Sequence, residues 1–100
     1  MIIRIINSPT DGTLEVIKAR VRNNKIKAVL KERNINAVGL VQGQLADIIV
    51  ACDTAEKASN VFVSEITGVC PQHMMLIGIF GDTAAVETAV RAIEARLKEK

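Results

Sequence analysis

The chain has 100 residues, 49% hydrophobic and 24% charged, which fits one globular domain with its own core and excludes intrinsic disorder. Two Phe with no Trp or Tyr leave little for stacking bases or sugars, and two Cys with one His are too few in one chain for a Cys₄ or Cys₂His₂ zinc site. A net charge of +2 argues against nucleic acid as a partner. No apolar run is long enough for a membrane span and no cleavable leader is visible, so a cytoplasmic chain with reduced thiols is expected.

Met1 to Ile6, MIIRII, is rich in β-branched residues and reads as a strand. Ser8-Pro9-Thr10-Asp11-Gly12 reads as a turn. In Thr13–Val21, Leu14, Ile17 and Val21 fit a helix, whereas Leu14 and Val16 alternate with charges like a half-buried strand. Following an Asp-Gly pair, the segment is taken as a strand. Asn23-Asn24 punctuates, and Ile26, Val29 and Leu30 then recur at helical spacing through Arg33. Asn34 to Asn36 ends that helix, and Ala37–Val41 is a buried strand.

Gln44 to Ser59 is a helix with Leu45, Ile48, Ile49, Cys52 and Ala55 on one stripe. Val61–Ile66 is a strand, Thr67–His73 a loop and Met75–Phe80 a strand. Asp82 or Thr83 can cap the last helix, whose buried stripe is Val86, Ala89, Val90, Ile93 and Leu97. The sum is an α/β chain, a small α+β sandwich over residues 1–100, with helices on one sheet face and the other face also needing cover.

The loop Gly68-Val69-Cys70-Pro71-Gln72-His73 is the most informative stretch. Gly68 lets backbone approach closely, and Pro71 biases Cys70 toward an extended conformation, which is how a thiol is presented on a rigid loop. The plainer reading is an incidental surface cysteine. His73 is taken as a solvated loop histidine and Cys52 as a core residue. Asp47 and Asp53 are expected as surface charges. Seven of the 13 Lys and Arg fall between Lys18 and Arg33, where Glu32 is the one acid. With no aromatic among them, a solvated helix face is expected, with an acidic partner protein as the alternative. No nucleophile–base spacing and no phosphate-cradling glycine pattern is present, so no enzyme is expected.

From Ala37 onward, three stretches together resemble the bacterial microcompartment (BMC) shell domain. They are Val38-Gly39-Leu40-Val41, the run from Ala51 through Ala55-Glu56-Lys57 to Val61, and Gly81-Asp82-Thr83-Ala84-Ala85-Val86. In that family a strand like Ala37–Val41 opens the chain and a further strand follows the last helix. Here strand-like material precedes Ala37 instead, which is similar to the circularly permuted subclass and supports Thr13–Val21 as the relocated strand.

The resemblance implies a ferredoxin-like BMC fold and a flat cyclic homohexamer. Such hexamers tile a shell with other microcompartment shell proteins, and the enclosed enzymes are candidate partners. It implies that Lys57 packs at the hexamer–hexamer edge, and that Gly68, Val69, Cys70, Pro71, Gln72 and His73 line a central pore. The Gly-x-Cys-Pro-Gln pattern is similar to that of the divergent shell proteins of glycyl-radical propanediol microcompartments, a subclass associated with a pore iron–sulfur cluster. A [4Fe–4S] cluster takes about four thiolates, so Cys70 from several subunits would supply one cluster per hexamer, for electron transfer or cluster transport. A small regulatory ligand-binding module on a ferredoxin-like fold is the alternative.

Overall fold

In the computed structural model the described residues are 1–32, 35–68 and 73–98. The elements are β1 (Ile2–Asn7), α1 (Asp11–Ala19), α2 (Asn24–Glu32), β2 (Ala37–Gln44), α3 (Leu45–Ala58), β3 (Phe62–Glu65), β4 (Met74–Gly81) and α4 (Thr83–Lys98). The strands form one antiparallel sheet in the order β1-β2-β4-β3.

Side chains alternate across the two central strands, and both faces are covered. Ala37, Val41, Ile77 and Ile79 point to α3 and α4, where Ile48, Ala51, Ala55, Val86, Ala89, Val90 and Ile93 complete one core cluster. Val38 and Phe80, opposite one another in the ladder, point the other way. They pack with Ile17 of α1, with Val21 just after it, and with Ile26 and Leu30 of α2. Two-sided burial explains why β2 and β4 read as unbroken apolar runs rather than alternating ones.

Two glycines let the layers close. A Cβ on Gly39 would lie 3.1 Å from Val90 Cγ2 and 3.3 Å from Val86 Cγ1, so α4 rests directly on β2. On the opposite face, a Cβ on Gly78 would lie 2.5 Å from Phe80 Cζ and 2.8 Å from Ile66 Cδ1, so the Phe80 ring occupies that space.

The expected strand over Thr13–Val21 is a helix, α1, and the expected Asp-Gly turn is its first turn. Thr10 sits in extended backbone and its hydroxyl accepts the Thr13 N–H at 3.2 Å. That cap, with Asp11 at the positive end of the helix, fixes the start. Leu14, Ile17 and Val21 then face the sheet, while Val16 is 62% exposed. The apparent alternation came from Val16, an apolar residue on a solvated face. The second helix starts where Asn23 Oδ1 accepts the N–H groups of Lys25 and Ile26 at 2.9 and 3.3 Å.

The relocated strand is therefore β1. Placing β1 after α4 makes the chain from β2 onward β-α-β-β-α-β, with the sheet order 4-1-3-2 of a ferredoxin-like fold and α1 and α2 as additions. The join is physically short, because Met1 and Ile3 share a pocket with Glu94, Leu97 and Lys98 at the end of α4.

Candidate functional site

The loop between β3 and β4 is held at both ends. Ile66 N–H donates to the Leu76 carbonyl at 2.9 Å, extending the hairpin ladder by one pair. Thr67 is then bound to Arg20, just past the end of α1: its N–H and its hydroxyl both donate to the Arg20 carbonyl, at 2.8 and 2.6 Å. Arg20 Nη1 returns a bond to the Thr67 carbonyl at 3.2 Å. At the other end, the His73 carbonyl accepts the Leu45 N–H at 2.7 Å, so the first turn of α3 secures the start of β4. Gly68 and His73 are both exposed. Val69, Cys70, Pro71 and Gln72 lie outside the described residues.

Beside the fixed stem runs an open groove lined by Ala19, Arg20, Val21, Arg22, Lys27, Thr67 and Gly68. The basic window seen in the sequence is thus partly gathered at the loop, rather than spread over one solvated helix face.

Cys52 is at the margin of the core rather than in it. The face of α3 that packs inward carries Ile48, Ala51 and Ala55, each fully buried. Cys52 is half-buried and lines a pocket with Arg22, Asn23, Val63, Ser64, Glu65, Thr67, Met75 and Ile77. Its thiol approaches Glu56 Oε1 at 3.9 Å. Burial pushes its pKa up, and the charges of Glu56 and Asp53 and the Glu56 contact push it the same way. Leu45 and Ile49, expected on the buried stripe, are 46% and 57% exposed. Asp53 is exposed as expected, whereas Asp47 is half-buried.

Lys57 lies in the last turn of α3 with its side chain 76% exposed, and its Nζ is 2.8 Å from Asp53 Oδ2. Such an exposed i,i+4 pair contributes about 0.3–0.5 kcal/mol and leaves the ammonium free to exchange partners. Among the described residues no three His, Cys, Asp or Glu side chains gather in a metal-binding group. No helix among them is long and apolar enough to cross a membrane. The Arg20–Thr67 clamp had no local signal, since its partners are 47 residues apart.

The sheet order, the two-sided helical cover and the displaced first strand define a permuted ferredoxin-like fold, and residues 37–100 match the model of the BMC domain. The chain belongs to the BMC-domain family. Among solved structures it is similar to the GrpU microcompartment shell protein from Pectobacterium wasabiae. The two share 39% identity and a TM-score of 0.70, over 93% of this chain and 99% of that one. It is also similar to the GrpU shell protein from Clostridiales bacterium 1_7_47FAA, at 37% identity and a TM-score of 0.72, over 98% of this chain and 93% of that one. The fold alone is shared with a fused permuted hexameric shell protein, MSM0275 from the RMM microcompartment. That likeness has 20% identity and a TM-score of 0.73 over 96% of this chain and 44% of that one. A comparison with curated proteins finds no match.

Proposed function

We propose that the protein is a microcompartment shell tile, a cyclic homohexamer in which residues 67–73 of each subunit meet at a central pore and Cys70 from several subunits holds an iron–sulfur cluster. Membership of the BMC-domain family and the likeness to two GrpU shell proteins support the tile. The observation that carries the pore assignment is the double anchoring of the loop, by Arg20 at Thr67 and by Leu45 at His73. Between the described ends Gly68 and His73 lie only residues 69–72, and each residue spans at most about 3.3–3.6 Å.

The donor chemistry agrees with this reading. Thiolates are the ordinary ligands of iron–sulfur clusters, and burial, with the charges of Glu56 and Asp53, pushes the Cys52 pKa up and disfavours its thiolate. That leaves Cys70 as the chain's other thiol. One thiolate per chain is too few, so the ligand set would come from several subunits around the axis. Bound there, a cluster supplies one-electron transfer across the shell. Lys57 is assigned to the contact between neighbouring hexamers, and its exposure in the last turn of α3 supports that role.

Anaerobic purification followed by an optical spectrum, iron and sulfide analysis and native mass tests the reading. The expected result is a coloured hexamer that becomes colourless in Cys70→Ser with its mass unchanged. Colour retained in Cys70→Ser removes the cluster assignment. A monomer or dimer removes the tile and favours a small ligand-binding module.

A further inference from the structure

The chain is close to neutral, with 13 basic and 11 acidic residues, yet its cations are not evenly matched. Lys18 pairs with Glu15 at 2.6 Å and Lys57 with Asp53 at 2.8 Å. Most of the other described cations form no ion pair, and among these Arg20, Arg22 and Lys27 are gathered in one groove that has no carboxylate in its wall. Clustering like charges without counter-charges raises the local potential, and a bound anion relieves it. Glu65 lines the adjoining pocket, together with Arg22 and Thr67, and so bounds the cationic stretch on that side.

The groove is also partly organised in advance. Arg20 is held by Nη1 donating to the Thr67 carbonyl, which orients the rest of its guanidinium fork. The short connection from α1 to α2 carries Arg22, and the first turn of α2 carries Lys27. The groove is open to solvent and has a volume of about 400 Å³, ample for a small anion.

We propose that this groove binds a small oxyanion, a phosphate or carboxylate group, between Arg20, Arg22 and Lys27. The fork of an arginine matches either group in a bidentate fashion, and the lysine adds a point charge. The three cations lie outside the loop, whose Thr67 and Gly68 complete the wall, and the site does not require a cluster.

Isothermal titration of the full-length protein at low salt, with inorganic phosphate in one arm and succinate in the other, tests the assignment. Saturable binding in at least one arm is expected, and the stronger arm identifies the group. Arg22→Gln and Lys27→Gln should each weaken it by about tenfold or more, while Lys98→Gln leaves it unchanged. No saturable heat in either arm, or equal weakening by Lys98→Gln, overturns the proposal. A change of native mass in Arg22→Gln or Lys27→Gln also overturns it, because the groove would then be facing a neighbouring subunit. A wild-type protein of the wrong native mass that still binds phosphate refutes the shell reading and leaves this site standing.

Discussion

Thr67 and Arg20, 47 residues apart, exchange three hydrogen bonds: two into the Arg20 carbonyl and one from its guanidinium to the Thr67 carbonyl. The end of α1 is thereby fastened to the stem of the β3–β4 loop. Thr67→Val keeps the shape and removes the hydroxyl bond, and Arg20→Gln removes the guanidinium bond. Each should lower the unfolding free energy by about 0.5–1.5 kcal/mol in denaturant titration. In both variants, cleavage at the loop by a protease at low dose should be faster than in the wild type. Unchanged stability and unchanged cleavage would mean that the clamp does not hold the stem.

Gly78 faces the Phe80 ring and Ile66 at distances no methyl group tolerates, 2.5 and 2.8 Å. Phe80 is fully buried, so its ring can give way only by displacing the side chains packed around it. Gly78→Ala should therefore cost about 1–3 kcal/mol through overpacking, read as a lowered denaturation midpoint. Gly12→Ala, where nothing lies within 4 Å, is the control and should be neutral or stabilising.

The raised pKa of Cys52 makes two outcomes specific. In a Cys70→Ser background, alkylation of the remaining thiol by iodoacetamide should be slower than that of an unstructured cysteine peptide at every pH near the usual thiol range. The folded state keeps its proton where the unfolded chain has lost it, so the unfolded state binds fewer protons there. Stability should fall as pH rises through the ordinary thiol range, and Cys52→Ser should flatten that fall. An alkylation rate equal to the peptide's would contradict the burial and the negative neighbours.

The proximity of Met1 to the end of α4 predicts that the chain can be reordered. A version beginning at Ser8, with a short Gly-rich linker from Lys100 to Met1, ends in β1 and has the unpermuted strand order. It should fold cooperatively, with the far-ultraviolet dichroism of the parent. Failure to fold with linkers of several lengths would show that β1 must enter the sheet from the start of the chain.

Much of the fold can be read from local pattern. The apolar runs of β2 and β4, the Ile2–Asn7 strand, and the helical stripes of α2 and α4 all have periods that depend only on neighbours within a turn or a pleat. The loop stood out because Gly68, Cys70 and Pro71 are unusual together in any context. The choice between helix and strand for Thr13–Val21 was different, since its residues satisfy both periods in part. It was settled by the Thr10 cap and by the open sheet face that Leu14, Ile17 and Val21 cover.

The sequence by itself determined the element types with one period, the thiol inventory and the permuted family pattern, because these are properties of neighbouring residues. Only the tertiary structure decided that β1 is the relocated strand, that Cys52 sits at a pocket margin beside Glu56, and that Arg20 grips Thr67 while Arg22 and Lys27 join it in one groove. Those facts depend on which surfaces other elements cover and on contacts across long stretches of chain. Side-chain burial and charge pairing are set at that distance, and no local period encodes them.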